Sequence, residues 1–527
     1  MSRTTRTSQV RAEIRRFLAV RPVQIAEVDL TGTEAGAGAG PGVASGAASG
    51  AGSGVTLRPG PGSPPVASGP VFALVRREGR PVGTVLGEIP EGADPKAVLT
   101  ELAERLVADS PSPYAGSPPY GSPPAPPPYT TVVIATRERA GKLVHALDSM
   151  LAQDHPRFEI VVVDNAPVTE ATRELIREKY AERVRYVCEP VPGLAVAHNR
   201  GVAVARGEVV AFTDDDVVAD PRWLTELTSP FASDPGLGCA TGLILPARLG
   251  TPAQVLLESH GGFSKGFAPR TYDPAEPPAD QPLFPFTAGR FGSGASMAFR
   301  TGVLREAGGF DPATGAGTLA RGGDDLYGFV RVLALGYRLH YTPYAVVWHH
   351  HRETWRDLET QAYGYGAGLG AYLTAVLVNS PGLLPAFLAR LPKGVAYARE
   401  LTARREPEGA GEVAAVERAS GRGVPVEGGG AGASPGDGSG VRSGGSSGVS
   451  SGAVPEALAG APGALSGVPS GALSGARPVP VGPGKHGVRD HPWPRRLSRL
   501  QRRGMLYGPV GYLRARWALR GARGGAR

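Results

Sequence analysis

Between residues 129 and 212, short apolar segments alternate with longer amphipathic ones. The apolar segments have the length and β-branched content of buried strands, and a stretch of helical periodicity follows each of the first three. Such alternation favours a mostly parallel sheet flanked by helices, which is an α/β fold. The predicted strands are 131–135, 158–164, 184–188 and 208–212, and the predicted helices are 140–153, 169–180 and 193–205.

Composition divides the rest of the 527-residue chain into regions. The 76 glycines and 51 prolines are concentrated in stretches that cannot bury enough apolar surface to fold. The predicted regions are a small α+β accessory domain (1–110) with a low-complexity insert (31–70), a Pro-rich linker (111–128), the α/β domain (129–352), C-terminal helices (353–402), a disordered linker (403–490) and a basic amphipathic segment (491–527).

The accessory domain contains a predicted hairpin, in which strands at 71–75 and 82–86 are joined by a turn containing glycine. A helix is expected to follow, with Asp94 as its N-cap and Pro95 at its first position. This module has too little apolar material for a catalytic core. It would either orient a substrate or pack against the larger domain.

Charge is concentrated at the end of the chain. The formal net charge is +8, and residues 491–527 hold ten arginines and no acidic residue, which leaves −2 for the remainder. Such a segment suggests an anionic partner, either membrane lipid or nucleic acid. No nucleic-acid-binding motif is present, and Tyr507, Tyr512 and Trp517 fit an interfacial helix, so nucleic acid is disfavoured.

The chain lacks the signs of secretion. Its two cysteines, Cys188 and Cys239, cannot form a disulfide framework, and the N-terminus has no apolar signal region. No uninterrupted apolar run reaches membrane-spanning length. We therefore expect a cytoplasmic protein, peripheral on the inner face of the plasma membrane if its basic segment binds lipid.

Three consecutive aspartates, Asp214, Asp215 and Asp216, follow the apolar strand at 208–212. Unpaired carboxylates this close repel one another and are costly to dehydrate. A divalent cation such as Mg²⁺ or Mn²⁺ would resolve the conflict and keep positions open for substrate phosphates. The alternative is a solvated acidic turn. The end of a strand in an α/β sheet favours the ligand site.

Polar residues also follow the first two strands, with Thr136 and Arg137 after one and Asp164 and Asn165 after the other. Neither a GxGxxG fingerprint nor a P-loop motif occurs there, so a dinucleotide fold and a P-loop nucleotidase are not supported. What fits is a nucleotide site in which a metal carries the phosphate charge. Asp164 would contact the base or ribose, or it is simply a helix cap.

Two further clusters lie downstream. Asp324 and Asp325 begin a predicted helix at 326–335, where one carboxylate would suffice as a cap, so the second could act as a general base. His349 leaves an apolar strand and resembles a metal ligand. A zinc site made of His349, His350 and His351 is disfavoured, because adjacent side chains on a strand point to opposite faces.

Together these motifs resemble the family 2 glycosyltransferases of the GT-A fold, over about residues 129–352. The opening strand and the Asp164 strand are similar to the family's first two strands, and Asp214 and Asp216 match its Asp-x-Asp motif. The further matching segments, in chain order, are 193–201, 308–311, 323–326, 336–339 and His349.

The resemblance implies roles for individual residues. The nucleotide-sugar would contact Thr136, Arg137, Asp164, Asn165, Asn199, Asp214 and Asp215. Asp214, Asp216 and His349 would bind the Mg²⁺ or Mn²⁺, although Asp215 stays an alternative ligand. Asp325 would be the catalytic base, with Asp324 beside it where the family usually has glutamate.

The expected function is that of an inverting, metal-dependent glycosyltransferase. Its donor would be a UDP-, GDP- or dTDP-sugar, and its acceptor an unidentified hydroxyl of a cell-envelope glycan, a lipid-linked molecule or a secondary metabolite. One alternative is a metal-dependent nucleotidyltransferase, but Arg137 and Arg139 without glycines fit its phosphate loop poorly. The other is a non-catalytic scaffold that binds through the arginine-rich segment.

Overall fold

The computed structural model describes residues 20–31, 54–109, 125–403 and 494–524, which contain a small and a large β-sheet. Residues 1–19, 32–53, 110–124, 404–493 and 525–527 lie outside the described part of the chain, and the predictions for them stay predictions. The strands of the small sheet, in the order β2-β1-β3-β4, are β1 (Gln24–Thr31), β2 (Gly54–Pro59), β3 (Gly69–Arg77) and β4 (Arg80–Ile89), and helix α1 (Pro95–Asp109) follows them.

The predicted hairpin of the accessory domain is present as β3 and β4. The two strands are antiparallel, and Glu78 and Gly79 turn the chain with φ values of 52° and 78°. Helix α1 begins as expected, because the Asp94 carboxylate accepts hydrogen bonds from the backbone N–H groups of Lys96 (3.1 Å) and Ala97 (3.3 Å).

Part of the predicted low-complexity insert at 31–70 is folded, which corrects that boundary. Strand β2 runs antiparallel to β1, and its Val55 side chain is buried. Only Val55 and Leu57 alternate with polar or small residues there, and this pattern is too short to be recognised beside glycine-rich sequence. Backbone pairing with β1 supplies the stability that composition does not indicate.

The large sheet contains nine strands in the described residues, and helices pack against it. The strands are β5 (Thr130–Thr136), β6 (Phe158–Asn165), β7 (Val184–Glu189), β8 (Val209–Asp214), β9 (Val217–Ala219), β10 (Leu237–Pro246), β11 (Arg270–Tyr272), β12 (Met297–Arg300) and β13 (Arg338–His349). The helices are α2 (Ala140–Leu151), α3 (Ala171–Leu175, continued by a π turn at Ile176–Tyr180), α4 (Leu194–Val204), α5 (Trp223–Ser233), α6 (Pro252–Gly261), α7 (Thr301–Glu306), α8 (Asp324–Ala334), α9 (Trp355–Asn379), α10 (Leu384–Ala403) and α11 (Arg495–Gly524), with short 3₁₀ turns at Ala288–Arg290 and Pro381–Leu383.

The strand order is β11-β13-β10-β12-β8-β5-β6-β7, with β9 added against β13. The predicted α/β class is confirmed, and the four strands expected to be parallel are parallel. The sheet as a whole is mixed, because β12 runs antiparallel to both β8 and β10, and β9 and β11 run antiparallel to β13. The chain moves outward from β5 through β7 and then returns to β8 on the other side of β5. Open α/β sheets bind ligands at such a reversal point.

Both faces of the large sheet are buried. Val133, Val163 and Phe212 belong to the apolar cluster on one face, and Val132 and Ile134 belong to the cluster on the other. Alternate residues of a strand point to opposite faces, so a strand that is buried on both sides must be apolar throughout. This explains the uninterrupted apolar runs in the sequence.

The accessory domain packs against the large domain, which was one of the two roles predicted for it. Apolar side chains of β1 and β3 form one cluster with side chains of β10 and β13, which includes Phe72, Leu74, Leu245 and Trp348. Arg76 adds an ion pair to Asp220 at 2.7 Å. The small sheet therefore supports β13 immediately before His349.

The C-terminal helix α11 lies along α9 at very close range. A Cβ atom added at Gly366 would overlap the carbonyl oxygen of Gln501, and one at Gly504 would overlap the carbonyl oxygen of Tyr363. Glycines on both helices thus allow the two backbones to touch.

In the described ranges no single helix is long and apolar enough to cross a membrane. One bent pair, Trp355–Asn379 with Pro381–Lys393 at 108°, meets the length and composition requirements.

Gly366→Ala is expected to destabilise the protein by about 1–3 kcal/mol, because the added methyl group must push α11 away from α9. Gly141→Ala is the matched control, since that helical position has nothing within 4 Å of an added Cβ. Chemical denaturation of both variants would test this. Equal stability of the two variants would show that the close contact contributes nothing.

Candidate active site

Four strands bring polar residues to one edge of the large sheet. The register pairs Thr136 with Asp164 across β5 and β6, and Ala135 with Asp214 across β5 and β8. Strand β9 then turns the chain back, so that Val217 pairs with His349 of β13. The ends of β5, β6, β8 and β13 therefore meet around the turn that carries the aspartate triplet.

Asp214, Asp216 and His349 form a buried cluster that could hold a metal ion. Their candidate ligand atoms all lie within 4.8 Å of one another. His349 Nε2 is 3.8 Å from Asp214 Oδ2 and 3.4 Å from Asp216 Oδ1. Asp216 Oδ1 is buried and has no hydrogen-bond partner, which is costly unless a cation satisfies it. The carboxylate and imidazole set suits Mg²⁺ or Mn²⁺. These are the three residues that the resemblance implied as metal ligands.

Asp215 faces away from this cluster. Its Oδ1 lies 2.6 Å from Arg139 Nη1, and its Oδ2 accepts a hydrogen bond of 2.6 Å from the Thr136 hydroxyl. Arg139 also donates to Asp216 Oδ2 at 2.5 Å. The guanidinium group therefore neutralises part of the triplet and leaves Asp216 Oδ1 facing His349.

Arg139 was missing from the predicted site residues, which included Arg137 instead. The structure places the Arg137 side chain in solvent and the Arg139 side chain over the aspartates. A countercharge for three buried carboxylates is a physical requirement, and the two arginines after β5 were the nearest candidates in the sequence. The direction of the backbone at the start of α2 decides which of the two arginine side chains points toward the aspartates.

The protonation states suit a metal site. Burial opposes ionisation of Asp216, but the neighbouring His349 and Arg139 outweigh it and hold the pKa of this carboxyl well below its usual range. Burial lowers the pKa of His349 to about 3, so its ring is neutral at physiological pH. The positive charge beside the aspartates therefore comes from the Arg139 guanidinium group. Burial also raises the pKa of Asp215 to about 6.

Two side chains behind His349, those of His351 and Glu258, orient its ring. Its Nδ1 lies 3.3 Å from Nδ1 of His351, whose Nε2 lies 3.0 Å from the Glu258 carboxylate on α6. If His351 donates to Glu258, its Nδ1 accepts from His349, and the lone pair of His349 Nε2 points at Asp214 and Asp216. No role was predicted for His351 from the sequence, and no sequence signal connected Glu258 to it.

Asp164 keeps a free atom for a ligand, whereas Asn165 does not present its amide to one. The Tyr186 hydroxyl donates to Asp164 Oδ2 at 3.0 Å, and Asp164 Oδ1 is buried without a partner. Burial raises the pKa of Asp164 to about 6. Asn165 donates to the carbonyl of Val191 (2.7 Å) and accepts from the N–H of Gly193 (2.9 Å), so it holds the loop before α4.

Asn199 also has a structural role, which differs from the nucleotide contact that the resemblance implied. Its Nδ2 donates to the carbonyl of Phe310 at 2.7 Å, and its Oδ1 accepts from the N–H of the same residue at 2.9 Å. The side chain thus fastens α4 to the loop at 308–311. Both polar ends of the amide are used in this contact.

The candidate base Asp325 is buried at the first turn of α8. Its Oδ2 accepts from the N–H of Gly294 at 3.0 Å, and its Oδ1 accepts from the N–H of Leu326 at 2.8 Å. Burial and the charge of Asp324 raise the pKa of Asp325 to about 7. A carboxylate with that pKa can take a proton at neutral pH, which is what a general base requires.

Asp324 occupies a different environment on the same turn. Its Oδ2 lies 3.2 Å from Nδ1 of His198, and both side chains are buried. The loop at 293–296 ties this region to the metal cluster. Its Gly294 binds Asp325, and the carbonyl of Ala295 accepts a 2.9 Å hydrogen bond from Thr213, the residue before the triplet.

Arg139→Ala is expected to destabilise the metal-free protein by about 3–5 kcal/mol, because it leaves buried carboxylates without their countercharge. Mn²⁺ should raise the melting temperature of this variant by more than that of the wild type, since the cation replaces the lost charge. Arg137→Ala, in solvent two residues away, is the matched control and should behave as wild type. An Arg139→Ala protein as stable as its control would contradict the assigned ion pairs.

Part of the chain is similar to known glycosyltransferases. Residues 126–363 match the family model described as "Glycosyltransferase like family 2". A pre-mycofactocin glycosyltransferase of Mycobacterium tuberculosis is 26% identical over 266 residues, which is 49% of this chain and 52% of that protein. A putative teichuronic acid biosynthesis glycosyltransferase, TuaG, of Bacillus subtilis is 32% identical over 132 residues, which is 24% of this chain and 50% of that protein.

Two further relatives and one solved structure are also similar to parts of the chain. The chain spans 13% of an uncharacterized Sinorhizobium fredii protein and 34% of an uncharacterized Nostoc glycosyltransferase, at 36% and 34% identity. A solved mannosyltransferase from Pyrobaculum calidifontis, in complex with GDP-Man and Mn²⁺, has a TM-score of 0.38 at 21% identity and covers 58% of this chain and 85% of that one. The family expectation is confirmed by the family model: residues 126–363 form a glycosyltransferase domain of family 2.

Proposed function

We propose that the protein is an inverting, divalent-metal-dependent glycosyltransferase that moves a sugar from a nucleotide-sugar donor to a hydroxyl acceptor. The observation that carries this proposal is the loop at 293–296. It binds Asp325 on one side and the end of β8 on the other, next to the cluster of Asp214, Asp216 and His349. A candidate base and a candidate metal site thus share one wall.

The donor end of the site would be held by the strand ends. Asp214, Asp216 and His349 would bind the divalent cation, which when bound supplies positive charge that stabilises the departing nucleoside diphosphate. The buried Asp164 Oδ1 is unpaired and would accept a hydrogen bond from the base or ribose. Asn165 and Asn199 would act indirectly, by holding the loops that border the pocket.

At the acceptor end, Asp325 would take the proton of the attacking hydroxyl. The acceptor oxygen would form its bond to the anomeric carbon as the bond to the diphosphate oxygen breaks on the opposite face. One direct displacement of this kind inverts the anomeric configuration. The raised pKa of Asp325 supports this role, because a base with a pKa of about 7 is both available and effective at neutral pH.

We propose only the chemical class of the nucleotide, the sugar and the acceptor. The relatives have different names, a pre-mycofactocin glycosyltransferase and a putative teichuronic acid biosynthesis glycosyltransferase among them, and the chain spans about half of each of these two. UDP-, GDP- and dTDP-sugars therefore all stay candidate donors. A cell-envelope, lipid-linked or secondary-metabolite hydroxyl stays the candidate acceptor.

A thermal-shift panel of UDP, GDP and dTDP, each with and without Mn²⁺, tests the donor side. We expect one nucleotide to raise the melting temperature only when Mn²⁺ is present. The matching nucleotide-sugars should then be consumed with release of nucleoside diphosphate, and NMR of the product should show inversion at the anomeric carbon. Release of pyrophosphate from a nucleoside triphosphate would instead support a nucleotidyltransferase.

A further inference from the structure

Helix α11 presents an apolar stripe to solvent. Leu506, Val510, Leu513 and Trp517 follow one another at intervals of four, three and four residues, which places them on one side of a helix. Leu506 is 77% exposed and Trp517 is 78% exposed, so neither side chain packs against the rest of the described chain. A solvent-facing helix side is normally polar, and a row of large apolar side chains indicates a binding surface.

The opposite side of α11 is fixed, so the helix cannot rotate to bury this stripe. Gly504 and Gly508 lie against the backbone of α9, where added Cβ atoms would overlap carbonyl oxygens. Farther along, the Tyr512 hydroxyl is buried and donates to the Asp311 carboxylate at 2.8 Å. The apolar stripe therefore faces outward because of how α11 docks.

Charge along α11 has a single sign. The helix contains no acidic residue, and exposed arginines precede and flank the stripe. These arginines include Arg495, Arg499, Arg502, Arg503, Arg514 and Arg520. Apolar side chains bordered by arginines are typical of a helix that lies in the interface of an anionic membrane.

Helix α10, which follows α9, also carries exposed leucines. Leu384, Leu388 and Leu391 of α10 are exposed and are spaced by four and three residues. Arg516 of α11 donates to Asn379 Oδ1 at 2.6 Å, which holds the end of α9, just before α10, near the C-terminal half of α11. Helices α10 and α11 thus both carry exposed apolar rows.

We propose that α11 is a membrane-docking helix, whose apolar stripe enters the interfacial layer of a bilayer while its arginines bind anionic phospholipid headgroups. A nucleic acid would engage the arginines, but it would gain nothing from Leu506 and Trp517. A protein partner would need an acidic rim around an apolar groove. An anionic bilayer matches both features of this helix without further requirements.

Co-sedimentation of the full chain with vesicles tests the proposal. Wild-type protein should bind vesicles of phosphatidylcholine mixed with phosphatidylglycerol, bind pure phosphatidylcholine weakly, and lose affinity as salt rises. A Leu506→Ser/Trp517→Ser variant should bind at least about tenfold more weakly, because it removes two side chains that the membrane would bury. An Arg502→Gln/Arg503→Gln variant should lose the preference for the anionic lipid.

Matched controls lie elsewhere on the surface. Val168→Ser replaces an 81% exposed valine, and Arg173→Gln replaces an arginine whose side chain is 63% exposed. Both should bind vesicles as wild type does. The substituted positions are all in solvent, so each variant should melt near the wild-type temperature.

Three results would overturn the proposal. The first is equal binding of wild type and the Leu506→Ser/Trp517→Ser variant to anionic vesicles. The second is absence of vesicle binding by the wild type together with tight, Arg502-dependent binding of an RNA oligonucleotide. The third is a wild-type dimer, seen by light scattering, that the double-serine variant loses while vesicle binding is absent throughout.

Discussion

Replacing Asp216 with alanine is expected to abolish Mn²⁺-dependent binding of a nucleoside diphosphate and to lower kcat/KM for sugar transfer by about 1,000-fold. The Oδ1 atom of Asp216 is the buried, unpaired oxygen of the cluster, 3.4 Å from His349 Nε2. Alanine removes that oxygen, while Arg139 keeps its ion pair with Asp215. The variant should therefore fold and fail specifically in binding the cation.

Asp215→Asn is the matched control for Asp216→Ala. Both oxygens of Asp215 are engaged by Arg139 and Thr136, outside the metal cluster. Changes in such outer partners weaken metal binding by about 10–100-fold, so transfer should recover at saturating Mn²⁺. Titration calorimetry with Mn²⁺ and the transfer assay measure both variants. If Asp215→Asn loses the cation while Asp216→Ala keeps it, Asp215 is the ligand.

Asp325→Asn is expected to lower kcat for transfer by about 1,000-fold while donor binding stays intact, because an amide cannot take the proton of the acceptor hydroxyl. Asp325 lies beside the metal cluster, not within it, and contacts the N–H groups of Gly294 and Leu326. Thermal shift with nucleotide and Mn²⁺ should match that of the wild type. Retained transfer would assign the base to another residue.

The pH dependence separates Asp325 from Asp324. The base acts only when ionised, and burial and Asp324 raise the pKa of Asp325 to about 7. The kcat/KM of the wild type should therefore rise with pH and level off above about 7. Asp324→Asn removes one cause of the raised pKa, so the midpoint should move to lower pH even if the maximum rate falls. An unchanged or higher midpoint would contradict the proposed coupling.

Helices and strands were predicted correctly from local sequence where burial of one or both faces of the element requires apolar residues at regular positions. The strand at 158–164 is found at Phe158–Asn165, and the helix at 193–205 is found at Leu194–Val204. Apolar periodicity reports burial directly, and burial is common to every member of a sheet core. Strand β2 escaped notice because its stability comes from pairing with β1, which no local pattern encodes.

The site residues also differ in how far the sequence predicted their roles. Asp214 and His349 end apolar strands and Asp216 follows one, and open α/β sheets bind ligands at such strand ends, so the sequence predicted that these residues belong to a ligand site. Asn165 and Asn199 carry the right chemistry at the right place, but the structure uses their amides to hold loops. Whether an amide faces a ligand or a backbone depends on loop geometry, which a motif does not specify.

The sequence alone determined the class of fold, the ends of the strands that carry carboxylates, and the basic amphipathic nature of the last helix, because these depend on residue type and periodicity. Only the tertiary structure decided that Arg139 and not Arg137 neutralises the triplet, that Glu258 and His351 orient His349, and that the apolar row of α11 faces outward. Each of these depends on groups far apart in the chain or on the direction in which a side chain leaves its element. Distances of that kind are set by packing.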